Sequence, residues 1–187
     1  LCVVVSDVPM DGVSLGEEQK GLLLDLDDRK VLYSKQALQK VYPASITKIM
    51  TAMLALKYGN MDDVVTITQE NLNLEEGSQV CGFWEGDQVT MDQLLHCLLV
   101  YSGNDAAAAI AEHIGGSTEG FVEMMNSYAQ ELGCTGTHFT NPHGLQDENH
   151  YTTPYDIALM SRELISRYPE VLTYSSVWME DITHVTR

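Results

Sequence analysis

Ser45 and Lys48 are the two residues of the chain whose types and spacing best fit nucleophilic chemistry. In a helix, a lysine three positions after a serine lies on the same face. A serine hydroxyl becomes a nucleophile when a base takes its proton, and a desolvated lysine has the lowered pKa that this role needs. The pair therefore predicts a serine acyl-transfer site. A purely structural alternative remains, because Ser45 is also a good N-cap and Lys48 can extend to solvent.

The segment around this pair predicts a largely buried helix over about 45–58. In ITKIMTAMLAL (46–56), Lys48 is the only charged side chain, and apolar residues occupy positions 46, 49, 50, 53, 54 and 56. Apolar residues at these positions cover most of a helix surface. Burial of the helix is what would desolvate the lysine amine.

A second candidate feature is the break at 101–105 (YSGND), between two helical stretches. Gly103 permits a left-handed turn, and Asn104 or Asp105 can cap the next helix. Such a turn would present the Ser102 hydroxyl for proton transfer and the Asn104 carboxamide for holding a lysine and a substrate carbonyl. An ordinary turn of a helical hairpin is the alternative.

The order of predicted elements indicates an α+β fold, an antiparallel sheet flanked by helices with a helical part inserted into it. A hairpin over 21–34 comes first, helices occupy the middle of the chain, and an extended stretch closes it at 175–183. We expect one domain over 1–187, with sheet parts at about 21–44 and 170–187 and a helical part at about 61–168.

Composition excludes several classes of function. The net charge is −17, and the segment between Lys57 and Arg162 holds 16 acidic residues and no lysine or arginine. Such a surface repels nucleic acids and anionic lipids. No stretch reaches the roughly 18 to 20 apolar residues of a membrane span, and LCVVV at 1–5 is too short for a signal peptide's apolar core.

The cysteines and histidines predict neither a metal site nor a cofactor. The cysteines are widely spaced and form no C-x-x-C pair. Cys97 lies in the apolar run LLHCLLV, which predicts a buried free thiol. The other cysteines are Cys2, Cys81 and Cys134.

The two Ser-containing motifs together resemble those of the D-alanyl-D-alanine carboxypeptidases, which are low-molecular-weight penicillin-binding proteins with a β-lactamase/transpeptidase-like fold. The resemblance covers roughly residues 21–183 and includes the opening hairpin GLLLDLDDRKVLYSKQA. The stretches that carry it are PASITKIMTAMLAL at 43–56, YSGNDAAAAIAEHIGG at 101–116 and THFTNPHGLQDENHYTTPYDIALM at 137–160.

The resemblance implies a role for each site residue. Ser45 would attack the carbonyl between the two terminal D-alanines, and Lys48 would be its general base. Ser102 would pass a proton to the leaving D-alanine, and Asn104 would orient Lys48 and the substrate amide. The remaining predicted substrate-binding residues, His143 and Gly144, would shape a loop beside the site.

The same resemblance implies the ligands and the location. The substrate would be the D-Ala-D-Ala end of a peptidoglycan stem pentapeptide, β-lactam antibiotics would acylate the same serine, and no cofactor would be needed. The protein would act outside the cytoplasmic membrane, in the cell envelope.

One family motif is absent: no lysine in the chain is followed by Thr-Gly or Ser-Gly. We therefore expect an incomplete domain that lacks its C-terminal sheet strands, which a missing segment or a swapped chain would supply. Two rival functions stay open. A class A β-lactamase normally carries S-D-N where this chain has S-G-N, and a non-catalytic peptidoglycan-binding module would keep only the fold.

Overall fold

The computed structural model describes residues 6–179, 181–183 and 185, so that Cys2 lies outside the described residues. Seven α-helices and four short strands follow one another in this part of the chain. In order they are β1 (Gly21–Asp25), β2 (Lys30–Lys35), α1 (Lys48–Tyr58), β3 (Val64–Thr66), α2 (Gln69–Leu72), β4 (Gln88–Thr90), α3 (Met91–Val100), α4 (Asn104–Gly115), α5 (Thr118–Glu131), α6 (Pro154–Arg167) and α7 (Val171–Ser175).

The predicted hairpin near the start of the chain is confirmed. β1 and β2 pair antiparallel, with Gly21 opposite Lys35 and Asp25 opposite Lys30. The register shifts between Leu23 and Leu24, which marks a bulge in the ladder. The hairpin lies against α6.

The helical part forms around α1, which contacts α3, α4, α5 and α6. Its residues 50–55 are fully buried, as the apolar pattern predicts. The small side chains of 106–109 on α4 are also buried, and they permit the close approach of neighbouring helices. Helices α5 and α6 begin at the side-chain caps Ser117 and Thr153, each of which accepts a backbone N–H of the first turn.

A second antiparallel pair, β3 with β4, joins the two ends of the 64–90 region. The sequence indicates mostly loop with brief extended pieces for 69–90, but 69–72 forms the one-turn helix α2. A reciprocal cap between Thr68 and Asn71 stabilises this turn.

The structure differs from prediction at the end of the chain, where a sheet part was expected at 170–187. Residues 171–175 form helix α7, because Val171 and Tyr174 share one helix face and bury it together. The described residues beyond α7 belong to no strand. Val185 instead donates its N–H to the carbonyl of Gln88, a residue of β4, at 2.8 Å.

The described elements combine helices with two small antiparallel sheets, which is an α+β organisation. Within residues 6–179, 181–183 and 185, no helix has both the length and the apolar character needed to cross a bilayer.

Candidate active site

Ser45 lies in a turn of 3-10 helix, Ala44–Thr47, that leads directly into α1. The preceding Ala44 has φ 48°, a left-handed conformation that is strained for a residue with a Cβ. Backbone strain of this kind persists where the surrounding structure enforces it, as at functional sites. The Ser45 side chain is exposed while its backbone belongs to a rigid element. Its hydroxyl is therefore open to a substrate.

Lys48 is the first residue of α1, and only 3% of its surface is exposed. Its Nζ lies 3.3 Å from Ser45 Oγ, 2.7 Å from Asn104 Oδ1 and 2.9 Å from the His143 carbonyl oxygen. An ammonium has three N–H donors and no acceptor, so these three oxygens match its charged form. The same geometry leaves the neutral amine within reach of the serine hydroxyl.

The Lys48 amine loses its proton more easily in this protein than a lysine does in water. Burial lowers the pKa of Lys48 from 10.5 to about 8, and Cys81 and Asp105 oppose that shift. At pH 7 a group with this pKa is uncharged in about a tenth of the molecules. The Ser45–Lys48 distance of 3.3 Å is slightly longer than an ideal proton-transfer contact, as is common in unliganded sites. Lys48 can thus act as a general base near neutral pH.

The turn between α3 and α4 takes its unusual conformation at Ser102, which has φ 62°. The prediction that Gly103 adopts the left-handed turn is wrong, because Gly103 has φ −64° and serves as the N-cap of α4. Glycine is required there for space: a Cβ would overlap the Cys81 Sγ and lie 2.9 Å from Asp105 Oδ1. The strain therefore falls on the serine.

This turn brings Asn104 into the site. Asn104 is 5% exposed and accepts a hydrogen bond from Lys48 through Oδ1. Ser102 is half-buried on the same turn, and among the described residues its hydroxyl forms no hydrogen bond with Ser45 or Lys48. The proton-transfer role of Ser102 stays a prediction.

The loop at 140–145 supplies the third side of the site. The Asn141 side-chain carbonyl accepts the N–H groups of His143 (3.3 Å) and Gly144 (2.7 Å) and so fixes the turn. His143 meets Lys48 through its backbone carbonyl, whereas its imidazole Nδ1 accepts the Leu145 N–H at 3.2 Å. Burial lowers the pKa of His143 to about 4, with the Lys48 charge adding to that effect, so the ring is neutral at physiological pH.

Position 144 has no room for a residue larger than glycine. It has φ 93°, and a Cβ there would collide with the Ala44 carbonyl oxygen and lie 3.0 Å from Thr47 Oγ1. The loop thus packs directly against the turn that carries Ser45. The structure brings Ser45, Lys48, Asn104, His143 and Gly144 together, although their roles towards a substrate remain predictions.

Sequence reasoning missed His150, which is 2% exposed and braces the turn that carries Ser45. Its Nδ1 accepts the Thr140 N–H at 3.0 Å, which leaves Nε2 to donate to Thr47 Oγ1 at 2.7 Å. Burial lowers the pKa of His150 to about 4. Thr47 and His150 are 103 positions apart, and no local pattern in the sequence marks such a contact.

The described residues include no group of three or more His, Cys, Asp or Glu side chains arranged to hold a metal ion. The predicted free thiol at Cys97 is confirmed, since Cys97 is buried and unbridged.

Comparison with known proteins decides the family. The family model described as D-alanyl-D-alanine carboxypeptidase (Peptidase_S11) matches residues 17–184. The chain belongs to the D-alanyl-D-alanine carboxypeptidase family. All six predicted site residues lie inside the matched range.

Curated members of the family are close in sequence over most of this chain. D-alanyl-D-alanine carboxypeptidase DacF of Bacillus subtilis is 41% identical over 168 residues, which covers 87% of this chain and 42% of DacF. D-alanyl-D-alanine carboxypeptidase DacC of Escherichia coli is 39% identical over 159 residues, which covers 80% of this chain and 40% of DacC. The chain thus spans about two fifths of the length of these family members.

Solved structures of the family share the fold. Penicillin-binding protein 6B of Escherichia coli superimposes with a TM-score of 0.83 at 31% identity, covering 96% of this chain and 60% of that one. The D-alanyl-D-alanine carboxypeptidase of Mycobacterium tuberculosis gives a TM-score of 0.82 at 29% identity, covering 93% and 65%. The predicted fold class, an α+β penicillin-binding transpeptidase-like domain, is confirmed.

Proposed function

We propose that Ser45, Lys48 and Asn104 belong to the active site of a serine D-Ala-D-Ala carboxypeptidase. Such an enzyme removes the terminal D-alanine from peptidoglycan stem pentapeptides. The observation that carries the proposal is the position of the Lys48 amine, which is buried and lies between Ser45 Oγ and Asn104 Oδ1. Family membership supports the reaction type. The active serine would be Ser45.

The first chemical step is acylation of Ser45. Neutral Lys48 takes the Ser45 proton while Oγ attacks the carbonyl between the two terminal D-alanines. The Ser45 backbone N–H, at the start of a helix, donates to the developing oxyanion. The Asn104 carboxamide keeps the amine in line with the hydroxyl and is free to donate to the substrate through Nδ2.

The second step expels D-alanine and restores the base. The proton now on Lys48 passes through the Ser102 hydroxyl to the leaving nitrogen, so the peptide bond breaks and an acyl ester remains on Ser45. Water then attacks the ester while Lys48 takes a proton from it. The bond between the acyl carbon and Ser45 Oγ breaks, Lys48 returns the proton to Oγ, and the shortened peptide leaves. A β-lactam follows the same first step, which gives a covalent penicilloyl ester on Ser45.

A further element of the complete site would be supplied from outside these 187 residues. The terminal carboxylate of the substrate needs a cation, and no Lys-Thr-Gly or Lys-Ser-Gly occurs in the sequence. Among the described residues the hairpin β1–β2 has two strands and Val8 pairs with Ser34 on the β2 side, which leaves the β1 edge for a further strand. We place the missing motif on an additional C-terminal segment or on a second, swapped chain.

The substrate sets the location. Peptidoglycan stem peptides lie outside the cytoplasmic membrane, so an enzyme of this class acts in the periplasm or on the outer face of the membrane. The strongly acidic chain, at net charge −17, is also poorly suited to nucleic acid.

Covalent labelling tests the proposal. Incubation with a fluorescent penicillin is expected to label the wild-type chain and the control Ser166→Ala, which changes an exposed serine of α6, while Ser45→Ala stays unlabelled. Reversible binding of muropeptides without labelling would favour a non-catalytic module. Turnover of nitrocefin without release of D-alanine from a D-Ala-D-Ala peptide would favour a β-lactamase.

A separate experiment tests whether a polypeptide from outside these 187 residues supplies the Lys-Thr-Gly or Lys-Ser-Gly motif. D-alanine release should be weak for the 187-residue chain and should rise when a polypeptide bearing Lys-Thr-Gly or Lys-Ser-Gly is present. Full turnover by a single species of 20.8 kDa would refute that part of the proposal.

A further inference from the structure

Asp105 is a buried carboxylate next to the site, with 1% of its surface exposed. It is the second residue of α4 and directly follows Asn104. Its Oδ1 accepts the Cys81 N–H at 2.9 Å and the Ala106 N–H at 2.9 Å, and its Oδ2 accepts the Gly82 N–H at 3.1 Å. Three backbone N–H groups thus donate to this one carboxylate in the first turn of the helix.

Two more hydrogen bonds attach the 79–82 segment to the same turn. Asn104 donates its N–H to the Gln79 carbonyl at 2.8 Å, and Gln79 Nε2 donates to the Tyr101 carbonyl at 2.5 Å. The segment is therefore held on both sides of Ser102. Because φ is 62° at this serine, the strained turn needs such bonds to persist.

The thiol of Cys81 packs beneath the turn. It occupies the space in which a Cβ on residue 103 would lie, and its Sγ is 3.9 Å from the Cys97 carbonyl oxygen. The Cys81 backbone at this contact is held by its N–H bond to Asp105 Oδ1 at 2.9 Å. Asp105, the 79–82 segment and the Ser102–Asn104 turn thus form one packed unit.

We propose that Asp105 is a positioning residue of the site, which locks the 79–82 segment against the Ser102–Asn104 turn and places a carboxylate directly after Asn104, the hydrogen-bond partner of Lys48. The importance of this role for catalysis rests on the proposed function. The two physical effects are properties of the chain itself and are measurable without turnover.

The charged and titratable groups around Lys48 single out Asp105. Asp105 follows Asn104, which binds the Lys48 amine, and Cys81 donates its N–H to Asp105; Cys81 and Asp105 both raise the pKa of Lys48 against the larger effect of burial. A hydrogen bond with Cys97, followed by burial, raises the pKa of Cys81 far above its usual range, so that the thiol is uncharged at working pH.

The two histidines of the 140–150 loop, His143 and His150, carry no charge that competes with Asp105. Burial holds the pKa values of His143, which faces Lys48, and of its neighbour His150 near 4, so both rings are neutral. Among these groups, Asp105 remains as the charge that acts on Lys48 near neutral pH. Replacing it with a neutral residue should lower the Lys48 pKa further.

Asp105→Asn is the informative variant, because asparagine keeps the size of the side chain and removes its charge. One amide oxygen can accept only part of the hydrogen bonds, and the NH₂ group would face a backbone N–H. The matched control is Asp156→Asn. Asp156 is 2% exposed at the start of α6 and binds Gly136 N at 2.8 Å and Thr137 Oγ1 at 2.7 Å, away from Lys48.

The experiment is an NMR pH titration of the full chain labelled with ¹³C in its lysine side chains, with Lys48→Met used to assign the Lys48 signal. Asp105→Asn should move the Lys48 midpoint to lower pH, which enlarges the neutral fraction near pH 7 by about threefold for each half unit. It should also speed amide exchange at Cys81 and Gly82 at least about tenfold. Asp156→Asn should lower the melting temperature and leave both readouts at wild-type values.

A wild-type measurement keeps the proposal testable if Asp105→Asn does not fold. The Asp105 carboxyl carbon should then show an inflection at the Lys48 midpoint. An unchanged Lys48 midpoint in folded Asp105→Asn, or the absence of that inflection in the wild-type chain, would overturn the proposal. Failure of penicillin labelling with the Lys48 coupling intact would overturn the proposed function alone.

Discussion

The Lys48 ammonium donates to Asn104 Oδ1 across 2.7 Å and joins two residues that are 56 positions apart in the chain. The contact ties the start of α1 to the start of α4 in the helical core. It also gives the amine a neutral acceptor in place of a carboxylate, so the lysine is held without a charge that would raise its pKa strongly. The contact with Asn104 therefore affects both the position of the Lys48 amine and its basicity.

Replacement of Lys48 by methionine should abolish most of the reactivity of Ser45. Loss of a general base lowers such rates by about 10²- to 10⁴-fold, and methionine fills the same buried space. The rate of Ser45 acylation by a penicillin is measured by mass spectrometry, as the fraction of the Ser45-containing peptide that carries the added mass at successive times. Lys57→Met, on the last turn of the same helix, is the control and should react at the wild-type rate.

Replacement of Asn104 by aspartate should move the midpoint of the pH–rate profile of Ser45 acylation to higher pH. Aspartate at this position would place a carboxylate beside the Lys48 amine and raise its pKa, so that less neutral amine remains at pH 7. We expect at least a tenfold slower acylation at pH 7 for Asn104→Asp, with recovery at higher pH. Asn104→Ala should react slowly at every pH, and the same pH midpoint in the Asp variant and the wild type would contradict this explanation.

Gly144→Ala should destabilise the protein more than the loss of glycine alone explains. Gly77→Ala is the control, because Gly77 also has a positive φ of 84° but a Cβ added to it would meet nothing within 4 Å. The control should cost about 1–2 kcal/mol of unfolding free energy. Gly144→Ala adds a collision with the Ala44 carbonyl, so its melting temperature should fall further and its Ser45 acylation should slow. Equal melting temperatures of the two variants would be inconsistent with the packing described.

Acid should destabilise the fold through His150. Its pKa is about 4 in the folded chain and 6.5 ordinarily, so the unfolded chain binds more protons between these values. The free energy of unfolding should therefore fall as pH drops from 6.5 to 4, by about 3 kcal/mol for this group. Urea unfolding across this range measures the effect. His150→Gln should make the profile shallower and leave the part that His143 contributes, since burial also lowers the pKa of His143 to about 4.

Much of the fold follows from local patterns. The apolar run after Ser45 predicts α1, and the caps Ser117 and Thr153 mark where α5 and α6 begin. The hairpin at 21–35 is also evident from its strands and turn. These features depend on residues close together in the chain, which is why periodicity and capping predict them.

The unpredicted features depend on distant contacts. Ser102 has a strained φ of 62° beside Gly103, under which Cys81 packs, and the sequence gives no sign that these segments meet. Asp105 reads as an ordinary first-turn carboxylate until the 79–82 segment lies against it. Residues 171–175 form a helix because Tyr174 is anchored by a hydrogen bond to Asp92, 82 positions earlier.

The central claim is that neutral Lys48 activates Ser45, and acylation by p-nitrophenyl acetate across pH tests it most directly. This small ester has no carboxylate, so its reaction needs no cation from outside the chain. We predict an acetyl group on Ser45 whose rate of formation rises with a midpoint near pH 8 and which is lost in Ser45→Ala. Absence of the adduct from the wild-type chain, or a midpoint near 10.5 as for an ordinary lysine, would contradict the claim.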